Sequence, residues 1–296
     1  MDMIQIEFGT DIAACKESSW TALSTDPVAN NMVMSAMDGN QPLNGAFHYG
    51  LVRSSNTGQL LGVIAQTLAQ RPLLSKMPSG IAAQVVEAWF SQMGPSTTLF
   101  GPAATIKEAE PVFCLRHKGK SVRTKILLSY QLSSVQVSSA SSIGTIRFPG
   151  QNGDTSPYDI DRINNWSIAF AKECDLPESR SPTLAKDLEA RTHRLLSNQS
   201  IALWEIDGQA VAMAAAVRRS SFAAAVGLVY TPKEFRGRGF ASHLVAKLSQ
   251  ILLDAGHPCC LLFTDPSNPT SNAIYQRIGY ERREDFMQLE ADLSSV

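Results

Sequence analysis

The sequence predicts an α/β protein in which helices flank a mixed central sheet, built as two similar domains in tandem. Three observations support this. An apolar run at 223–230, an amphipathic segment from Phe240 and a second apolar run at 258–263 give the order strand, helix, strand, typical of a right-handed parallel crossover. The first half of the chain repeats the same element order in a weaker form. A serine-rich stretch near residue 140 separates the halves.

The first half shows strand and helix patterns in the order of the second half, but it lacks the second half's chemical motifs. No arginine or glutamine precedes a Gly-x-Gly/Ala turn between Gln66 and Ile81, and no tyrosine lies between Ala103 and Gly119. We therefore interpret residues 1–140 as a degenerate copy and residues 141–296 as the catalytic domain. The expected elements of the first half are strands at 47–54 and 59–65 around a turn at Gly58, helices at 81–93 and 103–117, and a strand at 125–131.

The second half begins with a short strand and two helices before the central crossover. The expected elements are a strand at 144–148, helices at 160–174 and 183–198, and a hairpin that turns at Asp207-Gly208. The helix from Phe240 carries apolar residues at the spacing of one helical face and ends at Gly256, a typical residue after a helix C-terminus.

The segment that opens this helix has the composition of an anion site. Gly237 and Gly239 lack a Cβ atom and can take left-handed turns, which lets backbone N–H groups approach an oxygen-rich ligand. The start of a helix also favours negative charge, and Arg236 and Arg238 add formal positive charge. A dinucleotide fingerprint would need glycine where Ser242 stands, and the Gly-Lys-Ser/Thr ending of a P-loop is absent.

A second polar motif follows the strand at 258–263. Asn268 is placed to cap a short helix and Pro269 stands at its first position. The spacing predicts that Ile274 and Ile278 face the core. It also predicts one polar face, formed by Asn268, Ser271, Asn272 and Tyr275.

These two motifs carry a resemblance to a known family. The loop Arg236-Gly237-Arg238-Gly239-Phe240-Ala241 is similar to the (Gln/Arg)-x-x-Gly-x-(Gly/Ala) pyrophosphate signature of the GNAT superfamily of acyl-CoA N-acyltransferases. The residues from Asn268 to Tyr275, before Ile278-Gly279-Tyr280, resemble that superfamily's Asn-x(6)-Tyr-x(3)-Gly-(Phe/Tyr) helix. The resemblance spans roughly residues 145 to 290, and it implies a GNAT-like central sheet with flanking helices.

The resemblance also implies roles for individual residues. The diphosphate of coenzyme A would bind to the loop, which consists of Arg236, Gly237, Arg238, Gly239, Phe240 and Ala241. Leu228, Val229 and Tyr230 would lie beside the pantetheine and offer a backbone N–H to the thioester carbonyl, and Asn268, Ser271 and Asn272 would contact the cofactor. Tyr275 would protonate the leaving thiolate. Such a transfer needs a donor for the carbonyl oxygen and a proton for the sulfur, but it needs no metal.

The group that deprotonates the amine is left open by the sequence. Many relatives are thought to use a glutamate on a central strand, whereas the strand at 223–230 contains no acidic residue. Two candidates are Asp265, at the carboxyl end of its strand, and Glu205, in the strand at 201–206. Each has a structural alternative, as a turn-forming aspartate or a solvated strand residue, and water or a backbone carbonyl could relay the proton instead.

Composition and charge narrow the class of protein. The 296 residues are 44% hydrophobic and 18% charged with a net charge of -1, which fits a globular protein without a nucleic-acid-binding face. The five cysteines show no C-x-x-C spacing and suggest neither a disulfide framework nor a zinc site. No apolar run approaches the roughly 20 residues of a membrane span, and the N-terminus has no signal-peptide pattern. We expect a cytoplasmic protein, whose oligomeric state the sequence does not indicate.

The function expected from these observations is transfer of an acetyl group from acetyl-CoA to a primary amine, on a small molecule or a peptide. A different class of function is a non-catalytic acyl-CoA sensor, because the central strand lacks an acid. Trp166 and Trp204 could line an amine pocket together with Glu205 and Asp265, although core packing explains both tryptophans equally well.

Overall fold

The structure is a computed structural model, and it describes residues 3–38, 46–67, 71–136, 144–150, 156–180 and 182–292. The chain forms two compact units, one of Met1–Ser129 with Arg283–Val296 and one of Tyr130–Arg282. The sequence predicted a division at residue 140, whereas the first unit also takes in the C-terminal segment. Part of the serine-rich stretch, 137–143, lies outside the described residues.

The first unit contains six strands from the first half of the chain, one from its C-terminal segment, and four helices among its described residues. In chain order they are β1 (Ile4–Gly9), α1 (Ile12–Leu23), α2 (Asn31–Met37), β2 (Phe47–Ser54), β3 (Leu60–Thr67), β4 (Leu73–Leu74), α3 (Ala82–Met93), β5 (Thr98–Pro102), α4 (Ala103–Arg116), β6 (Val122–Leu132) and, from the C-terminal segment, β13 (Phe286–Ala291). The last three residues of β6 belong to the second unit.

The sheet of the first unit has the order β1-β2-β3-β4-β5-β13-β6. The first four strands are antiparallel, β4 and β5 are parallel, and β13 pairs antiparallel with both β5 and β6. Helices α3 and α4 pack through Trp89, Phe90 and Phe113 on a core that includes Leu99 of β5 and Leu289 of β13. Strand β13 is therefore a central part of the first unit's sheet and core.

The start of α3 is capped by a side chain from α4. The Glu108 carboxylate accepts hydrogen bonds from the backbone N–H groups of Gly80 and Ala82, each at 3.0 Å. The first N–H groups of a helix have no partner within the helix, and they lie at its partially positive end. A glutamate of the chain itself therefore fills the anion-favouring end of α3.

The second unit contains the remaining strands and helices of the described chain. They are β7 (Thr145–Arg147), α5 (Pro157–Glu173), α6 (Leu184–Ser197), β8 (Ile201–Ile206), β9 (Gln209–Arg219), β10 (Ala224–Tyr230), α7 (Phe240–Asp254), β11 (Cys260–Thr264), α8 (Pro269–Ile278) and β12 (Glu281–Arg282), with 3-10 turns at Pro177–Arg180 and Lys233–Phe235. Strands β7 to β10 pair antiparallel in sequence order, and β11 runs parallel to β10. Strand β12 pairs with the end of β6.

Helices cover both faces of the second sheet. Leu203 packs in the cluster that contains Ile163 of α5 and Leu195 of α6, whereas the next residue, Trp204, stacks on His243 of α7 with ring centroids 6.0 Å apart. Successive residues of a strand point to opposite faces. Helices α5 and α6 therefore lie on one face and α7 on the other, and Trp204 is a core residue at 3% exposure.

Both units follow the order β-α-α-β-β-β-α-β-α-β, which confirms the predicted fold class of two similar, mixed α/β domains in tandem. Most predicted elements lie within a few residues of the observed ones, and the hairpin turns at Asp207-Gly208 as expected. The sequence did not predict the helices α1 and α2 or the strands β1, β4, β5, β12 and β13. No helix among the described residues is long and apolar enough to cross a membrane.

Candidate functional site

The turn between β10 and α7 has the backbone conformation of an anion-binding loop. Gly237 and Gly239 have φ angles of 77° and 78°, and Gly239 is the N-cap residue of α7. These left-handed conformations suit glycine, as expected from the sequence. Arg236 and Arg238 lie on the same turn, where Arg238 is exposed. The turn therefore offers backbone N–H groups and two guanidinium groups to a ligand at the start of α7.

Arg236 is held by Glu173, which was not predicted from the sequence as a site residue. Its Nη2 atom lies 2.7 Å from a carboxylate oxygen of Glu173, at the end of α5, and its Nε donates to the Thr231 carbonyl at 2.8 Å. The guanidinium carbon is 5.6 Å from the centre of the Tyr230 ring. No local pattern could have revealed Glu173, because it is 63 residues from Arg236 in sequence.

Strand β10 contains a bulge at the residues expected to lie beside the thioester. Gly227 pairs with Ala215 and Tyr230 with Met213, so three steps along β10 correspond to two along β9. Leu228, inside the bulge, has a φ of 51°, a left-handed conformation that is uncommon for leucine. A bulge leaves one residue out of the regular ladder and bends the strand. It therefore frees backbone groups for a ligand.

An opening follows between β10 and β11. The described pairing of the two strands consists of Ala224 with Cys260 and Ala225 with Leu261. Beyond these pairs, toward their carboxyl ends, the strands have no mutual ladder in the described part of the chain. Open α/β sheets place ligands at the carboxyl ends of their strands. The opening lies next to the bulge and to the glycine turn, so the three features form one candidate site.

Helix α8 borders the other side of the opening. The Asn268 side chain accepts from the backbone N–H of Ser271 at 3.0 Å, and Pro269 is the first residue of the helix, as predicted. Asn272 donates from Nδ2 to the Asp265 carbonyl at 3.2 Å. Its Oδ1 atom is buried without a hydrogen-bond partner, as is the Oγ1 atom of Thr231. Buried polar atoms usually have partners, so these two atoms fit a site that a polar ligand completes.

The structure corrects the predicted polar face of α8. Tyr275 is buried at 7% exposure, and its ring lies 6.0 Å from that of Tyr280 and 6.5 Å from that of Tyr130. Ile278 is buried as predicted, but Ile274 is only partly buried. The face of α8 that contacts the core therefore includes the tyrosine.

Burial raises the pKa of Tyr275 well above its usual range, and the nearby Cys174 thiol adds to the effect. Removing a phenol from water penalises its charged form. Tyr275 therefore keeps its proton throughout the physiological pH range.

The two acidic residues expected to act as the base have other partners. Glu205 accepts from Arg147 Nε at 2.7 Å, and Arg147 also forms two hydrogen bonds with Asp159, at 2.9 and 3.0 Å. Asp265 accepts from the backbone N–H and the hydroxyl of Ser267, at 2.8 and 2.6 Å, in a turn after β11. Each carboxylate would have to leave these partners before it could accept a proton from an amine.

Trp166 lies close to the site, with its ring centre 6.2 Å from that of Tyr230. Trp204 instead packs under α7, as described above. No group of three or more His, Cys, Asp or Glu side chains suited to a metal ion occurs among the described residues.

Comparison with known proteins matches the same region to a family. Residues 206–288, from the end of β8 to within β13, match the model of the family described as FR47-like protein. The match includes the bulge, the glycine turn and α8. A search of curated proteins found no match.

Similar solved structures extend over nearly the whole chain. An acetyltransferase of the GNAT family from Colwellia psychrerythraea is 14% identical, covers 97% of this chain and 100% of its own, and has a TM-score of 0.55. A GCN5-related N-acetyltransferase from Sphaerobacter thermophilus is 15% identical, covers 97% and 95%, and has a TM-score of 0.58. A Drosophila protein is 13% identical, covers 100% of both chains, and has a TM-score of 0.68. At these identities the likeness establishes a shared fold.

Proposed function

We propose that this chain is a GNAT-type N-acyltransferase that moves an acetyl group from acetyl-CoA to a primary amine. The main support for the proposal is that three structural features lie next to one another at the carboxyl end of β10. These are the left-handed glycine turn at the start of α7, the bulge at Leu228 and the opening between β10 and β11. Each suits a different part of an extended, doubly phosphorylated thioester.

The diphosphate fits the glycine turn by charge and by geometry. Its oxygens would accept from backbone N–H groups of Gly237 to Ala241, at the positive end of α7. Arg238, exposed on the turn, adds a cation, and the orphaned Thr231 Oγ1 lies at the base of the loop. On the other side of the opening, Asn268, Ser271 and Asn272 present polar groups to the pantetheine.

The reacting atoms would lie between the bulge and α8. Attack of a neutral amine on a thioester places negative charge first on the carbonyl oxygen, which a fixed backbone N–H of Leu228, Val229 or Tyr230 can stabilise. The charge then moves to sulfur, and Tyr275 would supply the proton that the sulfur needs. Burial keeps this phenol protonated at neutral pH, although the raised pKa also makes it a weaker acid.

A non-catalytic acyl-CoA sensor is the alternative. It is favoured by one observation, the lack of any acidic residue in β10 together with the ties of Glu205 and Asp265 to other groups. The two functions share the cofactor site and differ only in whether an amine reacts.

Two measurements test the proposal. Calorimetry of the full chain with acetyl-CoA should detect binding, and a thiol-release assay with a polyamine, an amino sugar, amino acids and a short peptide should identify an acceptor. Binding without release of free coenzyme A for any amine would favour the sensor. If no heat appears with either acetyl-CoA or coenzyme A, both functions fail.

A further inference from the structure

We propose that Glu173 is the proton acceptor for the attacking amine, and that Arg236 restrains its carboxylate until the donor binds. This inference rests on the proposed acyl transfer. It assigns the base that the sequence left open to a residue on α5 rather than on the central strand.

The position of Glu173 follows from the way α5 packs. One face of α5 carries four side chains that are three or four residues apart in sequence: Ile163, Trp166, Phe170 and Glu173. The first three belong to the cluster that includes Leu228 and Tyr230 of β10. Glu173 is therefore the last member of the stripe that covers β10, and it lies over the carboxyl end of that strand.

Direct contacts confirm this location. The Tyr230 hydroxyl lies 3.4 Å from one oxygen of the Glu173 carboxylate, and Arg236 Nη2 lies 2.7 Å from the other. Tyr230 is two residues beyond the left-handed Leu228. The Glu173 carboxylate thus lies against the side chains of Tyr230, the last residue of β10, and of Arg236 in the glycine turn.

Arg236 connects this carboxylate to the diphosphate site. It belongs to the glycine turn, yet its side chain pairs with Glu173. Both side chains are partly exposed, at 42% and 38%, and ion pairs of this kind are weak and easily exchanged. A diphosphate carries more negative charge than one carboxylate and would compete for the guanidinium. Donor binding would then release the Glu173 carboxylate from its ion pair, so that it could contact the amine.

The proposed step balances in protons and electrons. The amine nitrogen forms a bond to the thioester carbon, and the carbon–sulfur bond breaks. The ammonium group of the acceptor gives one proton to the Glu173 carboxylate before attack. As the amide forms, its nitrogen loses a second proton to solvent, and the Tyr275 proton passes to the leaving sulfur. Solvent returns both residues to their starting states, and nothing is oxidised or reduced.

The test compares Glu173→Gln with Glu234→Gln, a charge-matched control on the segment before the glycine turn whose side chain is exposed. We expect Glu173→Gln to lower kcat about 100-fold or more with the best amine of the panel, while Glu234→Gln leaves it unchanged. The acidic limb of the pH–rate profile should disappear in Glu173→Gln alone. The loss should be smaller with hydroxylamine, which is largely neutral at neutral pH and needs no deprotonation before attack.

Binding provides a readout that does not depend on turnover. The neutral amide introduced by Glu173→Gln cannot pair with Arg236 as an ion. Calorimetry should therefore show that this variant binds acetyl-CoA as tightly as wild type or up to about fivefold more tightly. Equal kcat values and equal pH profiles for the two variants would overturn the inference and leave the proposed function intact. Absence of acyl transfer by the wild type to any amine would overturn both.

Discussion

The two glycines of the turn before α7 show how backbone conformation alone can specify a site. A Cβ atom at Gly239 would meet only His243, at 3.7 Å, so the position is constrained by its φ of 78° rather than by space. Gly208, in the hairpin between β8 and β9, has a similar φ of 76° and open surroundings. Both glycines therefore need a left-handed backbone, but only Gly239 belongs to the candidate site.

We predict that Gly239→Ala and Gly208→Ala each lower the free energy of unfolding by about 1 to 2 kcal/mol, because alanine is strained in the left-handed region. Only Gly239→Ala should weaken acetyl-CoA binding, since the strain distorts the N–H groups of the turn. Chemical denaturation and calorimetry measure the two effects. Equal affinities in the two variants would show that the turn does not hold the donor.

The role proposed for Tyr275 concerns a side chain that is buried between Tyr130 and Tyr280. We predict that Tyr275→Phe lowers kcat about 100-fold while acetyl-CoA binding persists, because the variant cannot protonate sulfur. Tyr280→Phe is a suitable control. It removes a buried hydroxyl that lies 2.8 Å from Ser249 Oγ, and it should reduce stability without an equal loss of turnover. An unchanged kcat in Tyr275→Phe would remove this residue as the proton donor.

The raised pKa of Tyr275 also has a consequence for stability. A group whose pKa is higher in the folded than in the unfolded state stabilises the fold fully below the unfolded pKa, about 10 for tyrosine, and this contribution is lost as pH rises. We therefore expect the wild type to lose stability above about pH 10 more steeply than Tyr275→Phe. Denaturant titrations at several alkaline pH values check this, and parallel curves would contradict it.

Among the helices and strands, those with a long or uninterrupted pattern could be predicted from the sequence. Helix α7 has a regular apolar stripe with a glycine turn before it and Gly256 after it, and β11 is a continuous apolar run. Strand β1 alternates Ile4, Ile6 and Phe8 with polar residues, a signal that was overlooked. Helix α2 has seven residues, which are too few for a clear helical period. Local pattern is strongest where one element buries one face along its whole length.

The site was predictable only in part, for a physical reason. The glycine turn and the Asn268 cap depend on neighbouring residues, so the sequence contains them. The burial of Tyr275 depends on Tyr130 and Tyr280, and the pair of Glu173 with Arg236 joins α5 to a distant loop. Such contacts depend on tertiary packing, and the local periodicity of the sequence does not reveal them.

The cap of α3 by Glu108 leads to a prediction for the first unit. Glu108→Ala leaves two N–H groups without their acceptor, and we expect it to lower the free energy of unfolding by about 1 to 3 kcal/mol. Glu108→Gln retains one acceptor oxygen and should cost less. Glu110→Gln, on the same helix, serves as a control for charge. Thermal unfolding measures the series, and equal midpoints would show that the cap does not stabilise the unit.

Considered as a whole, the molecule consists of two units with one topology and different helix starts. In the second unit, α7 begins at an exposed glycine turn, whereas in the first unit the corresponding α3 is capped by a glutamate. A carboxylate already satisfies the positive end of α3 and would repel a diphosphate. We predict one acetyl-CoA bound per chain, measured as calorimetric stoichiometry. A value of two would contradict the interpretation of the first unit as degenerate.

The unit boundaries predict how fragments behave. A fragment of residues 141–296 keeps β13 but loses β5 and β6, which pair with both of its edges. A fragment of residues 130–282 omits β13 and keeps the end of β6 that pairs with β12. We expect the longer fragment to aggregate more, because it exposes an apolar strand with two open edges. Light scattering of both fragments tests this, and the reverse order would contradict it.

The place of β13 in the first unit has a consequence for biosynthesis. Residues 286–291 leave the ribosome after the whole second unit has been made, yet they complete a sheet whose first strand is residues 4–9. Until they emerge, the facing edges of β5 and β6 stay without their shared neighbour. The N-terminal unit therefore cannot reach its native state before the second unit is synthesised, although N-terminal domains generally fold first. The nascent N-terminal unit must stay soluble and able to fold, or be protected by chaperones, until this strand has been synthesised.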